Sequence, residues 1–117
     1  MTTQETANKL IELCRYGKFE EAQKSLYAQD AVSIEPEHTE NNVVKGLDAI
    51  IKKGDYFRNS ADFHSVEVSD ALVSGNFFTL SMGIDLTWKH NQQRTKMEEI
   101  AVFEVKEGKI IKEQFFF

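Results

Sequence analysis

From Asn76 onward, apolar and polar residues alternate with a period of two. The segments NFFTLSMGIDLTWKH, RTKMEEIAVFEV and KIIKEQFFF read as two long strands and a short final one. Polar turns at His90–Gln93 and Glu107–Lys109 join them. In the first of these strands, Phe78, Leu80, Met82, Ile84, Leu86 and Trp88 share one face, and Thr79, Ser81, Asp85 and Thr87 share the other. The last three residues, Phe115, Phe116 and Phe117, are all aromatic. Terminal residues fray unless they are tied down, so the final strand is expected to dock into a sheet that something covers.

The period differs in the first half. Ala7, Leu10, Ile11 and Cys14 follow helical spacing in a segment from Gln4 to Arg15, and Gly17 stands just beyond it as a stop. A second helix is expected over Phe19–Tyr27, with Phe19, Ala22 and Leu26 on one face. A short strand follows at Ala31–Glu35, stopped by Pro36, and then an acidic turn region, EPEHTENN. Leu47, Ile50 and Ile51 mark a third helix over 47–57, which Gly54 weakens. The segment HSVEVSDALV reads as one strand, and Ser74-Gly75-Asn76 turns it into the next. The order is two helices, a strand, a helix and four antiparallel strands, which is an α+β layout with helices on one sheet face.

Composition narrows the function classes. The 117 residues contain a single proline and no repeat or low-complexity stretch, so one domain is expected over residues 1–117. A net charge of −5 argues against nucleic acid as a partner. Lys52, Lys53 and Arg58 form a small basic cluster, most simply a solvated helix face. The absence of a long apolar run argues against membrane insertion. The single cysteine, Cys14, excludes an internal disulfide and reads as a buried thiol. Together with a polar start, MTTQETANK, these features lead to the expectation of a cytoplasmic protein.

The strings LYAQDAVSIEP, VVKGLDAI, the Trp88 strand and MEEIAVFEVKEGKIIKEQFFF, in this order over nearly the whole chain, resemble the nuclear transport factor 2-like superfamily, in particular its SnoaL-like branch. The resemblance implies a cystatin-like cone: N-terminal helices packed on a strongly curved, mainly antiparallel sheet that encloses a pocket. It also implies homodimerisation through the outer sheet face. The superfamily includes ketosteroid isomerase, scytalone dehydratase, polyketide cyclases, limonene epoxide hydrolase and non-catalytic modules, so fold alone does not select a function.

Carried over by position, the isomerase's basic carboxylate, placed before the proline that ends the first strand, falls on Glu35. Its two oxyanion donors fall on Leu10 and Ala101, which cannot donate. Loss of such a donor costs on the order of 3 kcal/mol in the transition state, which argues against steroid isomerisation. No equivalent of the hydrolase's arginine-bridged aspartates is evident, because Arg15, Arg58 and Arg94 lie near element ends.

In the same register, Glu99, Ala101, Phe103, Glu113, Phe115 and Phe117 face the pocket, and Met82, Ile84, Leu86 and Trp88 line the neighbouring strand. This is an apolar cup with a few carboxylates. Glu35 is the candidate base, unless Val32 and Ile34 form the buried side of its strand and turn it to solvent. His64, on the face of Val66 and Val68, is the candidate acid–base partner, or else a partly buried structural histidine. Glu99 and Glu113 could share a proton if both face inward, and a one-residue slip turns both outward. The cluster of Glu35, Glu37, His38 and Glu40 has metal-ligand chemistry, but acidic loops are mostly just solvated, and neither a metal nor a cofactor is assigned.

Three readings remain open. The first is a pocket that binds a small apolar ligand, without established catalysis. The second is an acid–base isomerase, dehydratase or cyclase acting on a small cyclic or polyketide-like carbonyl compound. The third is a dimeric interaction module whose pocket is filled by its own side chains.

Overall fold

The computed structural model describes residues 1–117. Three helices, α1 (Thr3–Arg15), α2 (Phe19–Leu26) and α3 (Leu47–Asn59), pack on a seven-stranded sheet. The strands are β1 (Tyr27–Ile34), β2 (Val43–Lys45), β3 (Ala61–Val68), β4 (Leu72–Ser74), β5 (Phe77–Trp88), β6 (Arg94–Lys106) and β7 (Lys109–Phe116). The sheet order is β2-β1-β7-β6-β5-β3, with β4 paired to β5. The α+β cystatin-like class expected from the sequence is the observed one. The sheet is mixed, because β1 and β7 pair in parallel.

Local chemistry sets the element ends. Thr2 and Glu5 form a capping box at the start of α1, and Gly17, at φ 72°, closes its end. Tyr27 is extended (φ −93°, ψ 145°) and opens β1 directly, so α2 ends one residue earlier than its periodicity suggests. The expected strand over 64–73 is two strands, β3 and β4, making five after α3 rather than four. The break has a cause. Arg15 donates to the Val68 carbonyl through Nε and Nη2, at 3.1 and 2.8 Å, and to Asp70 at 2.9 Å. The chain is drawn toward α1 before it can continue along the sheet.

The main core lies where α1 and α2 cover β5, β6 and β7. Ala7, Leu10, Ile11, Ala22 and Leu26 pack with Phe78, Leu80, Ala101, Phe103 and Ile110. Phe78 and Phe103 stack with ring centroids 4.6 Å apart. A second, smaller cluster of Ala61, Ile84 and Leu86 is joined by Phe57, Phe63 and Trp88. Val66 and Met82 touch both clusters and mark the divide between them. The third helix, α3, reaches from β1 and β2 at one end of the sheet to β3 at the other. The sheet is thus spanned by a helix, and the sheet face turned toward the helices is the one on which the sequence places its candidate cup.

Candidate functional site

Strand register decides what faces the cup. Phe78 lies opposite Phe103, and Phe103 opposite Glu113. Leu80 lies opposite Ala101, Ala101 opposite Phe115, and Met82 opposite Glu99. On β1, Ser33 lies beside Glu113. Because side chains alternate along a strand, these residues share one face. After Tyr27, the buried residues of β1 are Ala31 and Ser33, at 1% and 6% exposure, while Val32 and Ile34 are only partly covered. The alternation therefore turns Glu35 to the cup side, and not to solvent as buried Val32 and Ile34 would have required.

Three carboxylates gather there. Glu113 is buried and accepts hydrogen bonds from the Tyr27 hydroxyl and, at 2.7 Å, from the Ser33 hydroxyl. Burial pushes its pKa up, and so does the charge of Glu35, while the bonds from Tyr27 and Ser33 and the charge of Lys53 pull it down. The net direction is upward. Glu99 is partly buried and accepts no such bonds. Burial, then the charges of Glu113 and Glu35, push it up to about 7. Glu35 pairs with Lys53, whose ammonium also donates to the Asn41 carbonyl at 3.0 Å. Burial followed by the Glu113 charge pushes the Cys14 thiol up to about 12, so this cysteine is a packing residue.

Other expected residues lie elsewhere. His64 is on the outer face: a β-bulge between Phe63 and Ser65 reverses its side, and Nε2 meets the Thr87 hydroxyl at 2.7 Å. It cannot partner Glu35. Phe117 lies past the end of β7, 49% exposed, edge-on to the His38 ring at 5.9 Å. It stands beside the acidic loop and not in the wall. Leu86 is fully buried and Ile84 nearly so, both within the smaller cluster. Trp88 packs on Phe57, with centroids 5.9 Å apart. Phe103 and Ala101 are core. Of the inner-face positions, Met82, Glu99 and Phe115 are only partly buried, and the charges of Glu35 and Glu113 act on Glu99.

Sequence reasoning missed Tyr27, Ser33 and Lys53. Tyr27 was read as a helix end, and Lys53 as part of a solvated face. Only Lys52 of that cluster is fully exposed; the Lys53 and Arg58 side chains are 34% and 23% exposed.

Helices packed on a curved, mixed sheet are the architecture of the cystatin-like, nuclear transport factor 2-like class. Within it, the whole chain, residues 1–117, matches the SnoaL-like domain model, and the protein belongs to that family. It is similar to a protein from Mesorhizobium loti provisionally named a SnoaL-like polyketide cyclase, with 30% identity, full coverage of both chains and a TM-score of 0.95. It also shares its fold with a nuclear transport factor 2-like protein of unknown function from Burkholderia pseudomallei (13% identity, 100% and 92% of the two chains, TM-score 0.82). A protein from Bacillus subtilis provisionally named an isomerase is a third fold relative (16% identity, 98% and 88%, TM-score 0.79). No functionally curated protein matches the sequence.

Proposed function

We propose that the cup takes up a small, largely apolar carbonyl compound and moves a proton on it, with Glu99 as the acid–base group. The observation that carries this reading is a partly buried Glu99 held near neutrality by burial and by two neighbouring carboxylates. A group with that pKa is well populated in both protonation states at neutral pH, which suits a base that must return its proton. In the reaction, the Glu99 carboxylate takes a proton from the carbon next to the carbonyl. The C–H electron pair moves into an enolate, and the same proton is returned at another carbon or at oxygen. No second reactant is required. Glu113, fixed by Tyr27 and Ser33, tunes Glu99 without needing to touch the ligand. The Bacillus subtilis fold relative is provisionally named an isomerase, a class that includes this chemistry.

The test is carbon-bound hydrogen exchange in D2O, followed by proton NMR over a panel of small cyclic ketones, for the wild type and Glu99→Gln. Exchange above the buffer rate that disappears in Glu99→Gln supports the reading. A molecule retained from an extract in native mass spectrometry, with no exchange on any ketone, reduces the site to a binding pocket.

A homodimer through the outer sheet face is part of this proposal. Ile100 and Phe116 are cross-strand neighbours on that face, 52% and 49% exposed. They give it an apolar centre that a second copy would cover.

A further inference from the structure

The inner stripe of α3 carries a feature that proton transfer at Glu99 does not use. Leu47, Ile50, Ile51, Gly54, Phe57 and Arg58 recur at three- and four-residue spacing and so share one helix face. Leu47 and Ile50 are buried, Ile51 packs on the main core and Phe57 on the smaller cluster. Gly54 and Arg58 therefore belong to the face that closes the cup, and Gly54 falls between the two hydrophobic clusters.

Glycine is a poor residue for a helix interior, and here the missing side chain has a use. A Cβ built on Gly54 would lie 2.9 Å from Nη1 of Arg58 and 3.4 Å from its central guanidinium carbon. Helical side chains lean toward the N-terminus, and Arg58 leans back one turn until its head rests in the notch over Gly54. Its side chain is 23% exposed, and Nη2 donates to Asp55 Oδ1 at 2.6 Å. That bond engages one N–H of a five-donor fork. Lys53, ion-paired to Glu35 and donating to the Asn41 carbonyl, has fewer spare donors than the guanidinium fork, which keeps several N–H groups beside its Asp55 pair.

We infer that Arg58, seated over Gly54, is the group that recognises an oxygen anion on the ligand, so the cup selects molecules carrying a carboxylate, phenolate or enolate oxygen. This rests on the cup being a small-molecule site, as proposed above. It supplies a donor that the positions of Leu10 and Ala101 cannot. Asp55, ion-paired to Arg58, is the carboxylate next to the recognition group, and the ligand's oxygen would take the rest of the fork. When ionised, Glu35, Glu99 and Glu113 would repel such a ligand elsewhere in the cup. The anion is thereby directed to the α3 side, with the apolar body of the ligand over Met82 and Phe115.

The experiment compares 2-naphthoate with the neutral 2-naphthalenemethanol. Binding is measured by protein-detected NMR titration for the wild type, Arg58→Met, Arg58→Lys and Gly54→Ala. Charge-assisted hydrogen bonds correspond to about tenfold or more in affinity. The wild type should prefer the carboxylate by about that factor. Arg58→Met should lose the preference and keep its affinity for the alcohol. Arg58→Lys should retain part of the preference, because a point charge replaces the fork. Gly54→Ala keeps the charge and favours the helix, yet displaces the guanidinium, so it should also lose the preference while thermal unfolding occurs at an equal or higher temperature. Equal preference in the wild type and Arg58→Met would overturn the inference while leaving the pocket intact. Absence of binding by both probes to the wild type would overturn the inference together with the proposed function.

Discussion

Ser33 and Glu113 stand side by side across the one parallel strand pair of the sheet, with the serine hydroxyl donating to the carboxylate at 2.7 Å. Tyr27, on the same strand as Ser33, donates to the other carboxylate oxygen. A buried carboxylate is thus satisfied from one strand, leaving its charge to act on Glu99.

Removing that charge should be visible at a distance. In Glu113→Gln, the largest electrostatic contribution to the raised Glu99 pKa disappears, and the value should fall from about 7 toward 4.5. Carbon-13 NMR titration of the Glu99 carboxyl measures it. An unchanged titration would mean that burial alone governs Glu99.

Stability should fall as pH rises through neutrality. The folded-state pKa of Glu99 lies above its ordinary value, so the folded protein binds this proton more tightly than the unfolded chain does. The contribution is complete below about pH 4.5 and is lost as the pH passes about 7. A displacement from 4.5 to about 7 corresponds to on the order of 3 kcal/mol. Glu113 is shifted the same way and adds in the same sense. Urea unfolding between pH 5 and 8, buffered at constant ionic strength, should show the decline, and Glu99→Gln should flatten it (pH limits about as stated).

Tyr27→Phe should destabilise the fold by about 1.5–3 kcal/mol, since it removes a hydrogen bond to a buried carboxylate. Glu113 should become harder to ionise, because a bond that lowers its pKa is gone. Denaturant midpoints above and below neutral pH test both statements. A neutral outcome would mean that another donor reaches Glu113.

The terminal aromatics should differ sharply from the core pair. Phe103→Ala removes half of a stacked, buried pair and should cost about 3–5 kcal/mol. Phe117→Ala, at a half-exposed site against His38, should cost less than about 1 kcal/mol. Thermal unfolding of the two variants decides whether the chain end is structural.

Lys53→Met should loosen a local latch. The lysine joins α3 to Glu35 and to the Asn41 carbonyl, but both charged partners are partly exposed, so the global cost should stay near 1 kcal/mol or below. Amide exchange should accelerate over residues 36–42 and remain unchanged in β5 and β6.

The long strands were legible because Phe78 through Trp88 alternate without interruption, and a period of two has one structural meaning. The inner faces of β6 and β7 followed from the same rule. Around Glu35 the rule left two readings open, because apolar Val32 and Ile34 look like the buried side. The buried side is instead Ala31 and Ser33, since the serine is satisfied by Glu113, a residue 80 positions away. His64 failed for a different reason: a single-residue bulge reverses every facing assignment before it and leaves no compositional trace. Lys53 and Arg58 were dismissed as solvated on composition. The helical spacing from Leu47 through Gly54 to Arg58 held the better signal, because it places the arginine on the apolar stripe.

The parallel neighbours β1 and β7 bring together Ser33 and Glu113, 80 positions apart in the chain. Synthesis from the N-terminus delivers Tyr27 and Ser33 well before Glu113. Helices and the β5–β6 hairpin can form from nearby residues, but the carboxylate cluster closes only when residues 109–116 arrive and pay the entropy of a long loop. The site should therefore mature on a ribosome only after the β5–β6 hairpin has been made. A chain stalled before β7 would carry Glu35 and Glu99 without the carboxylate that tunes them.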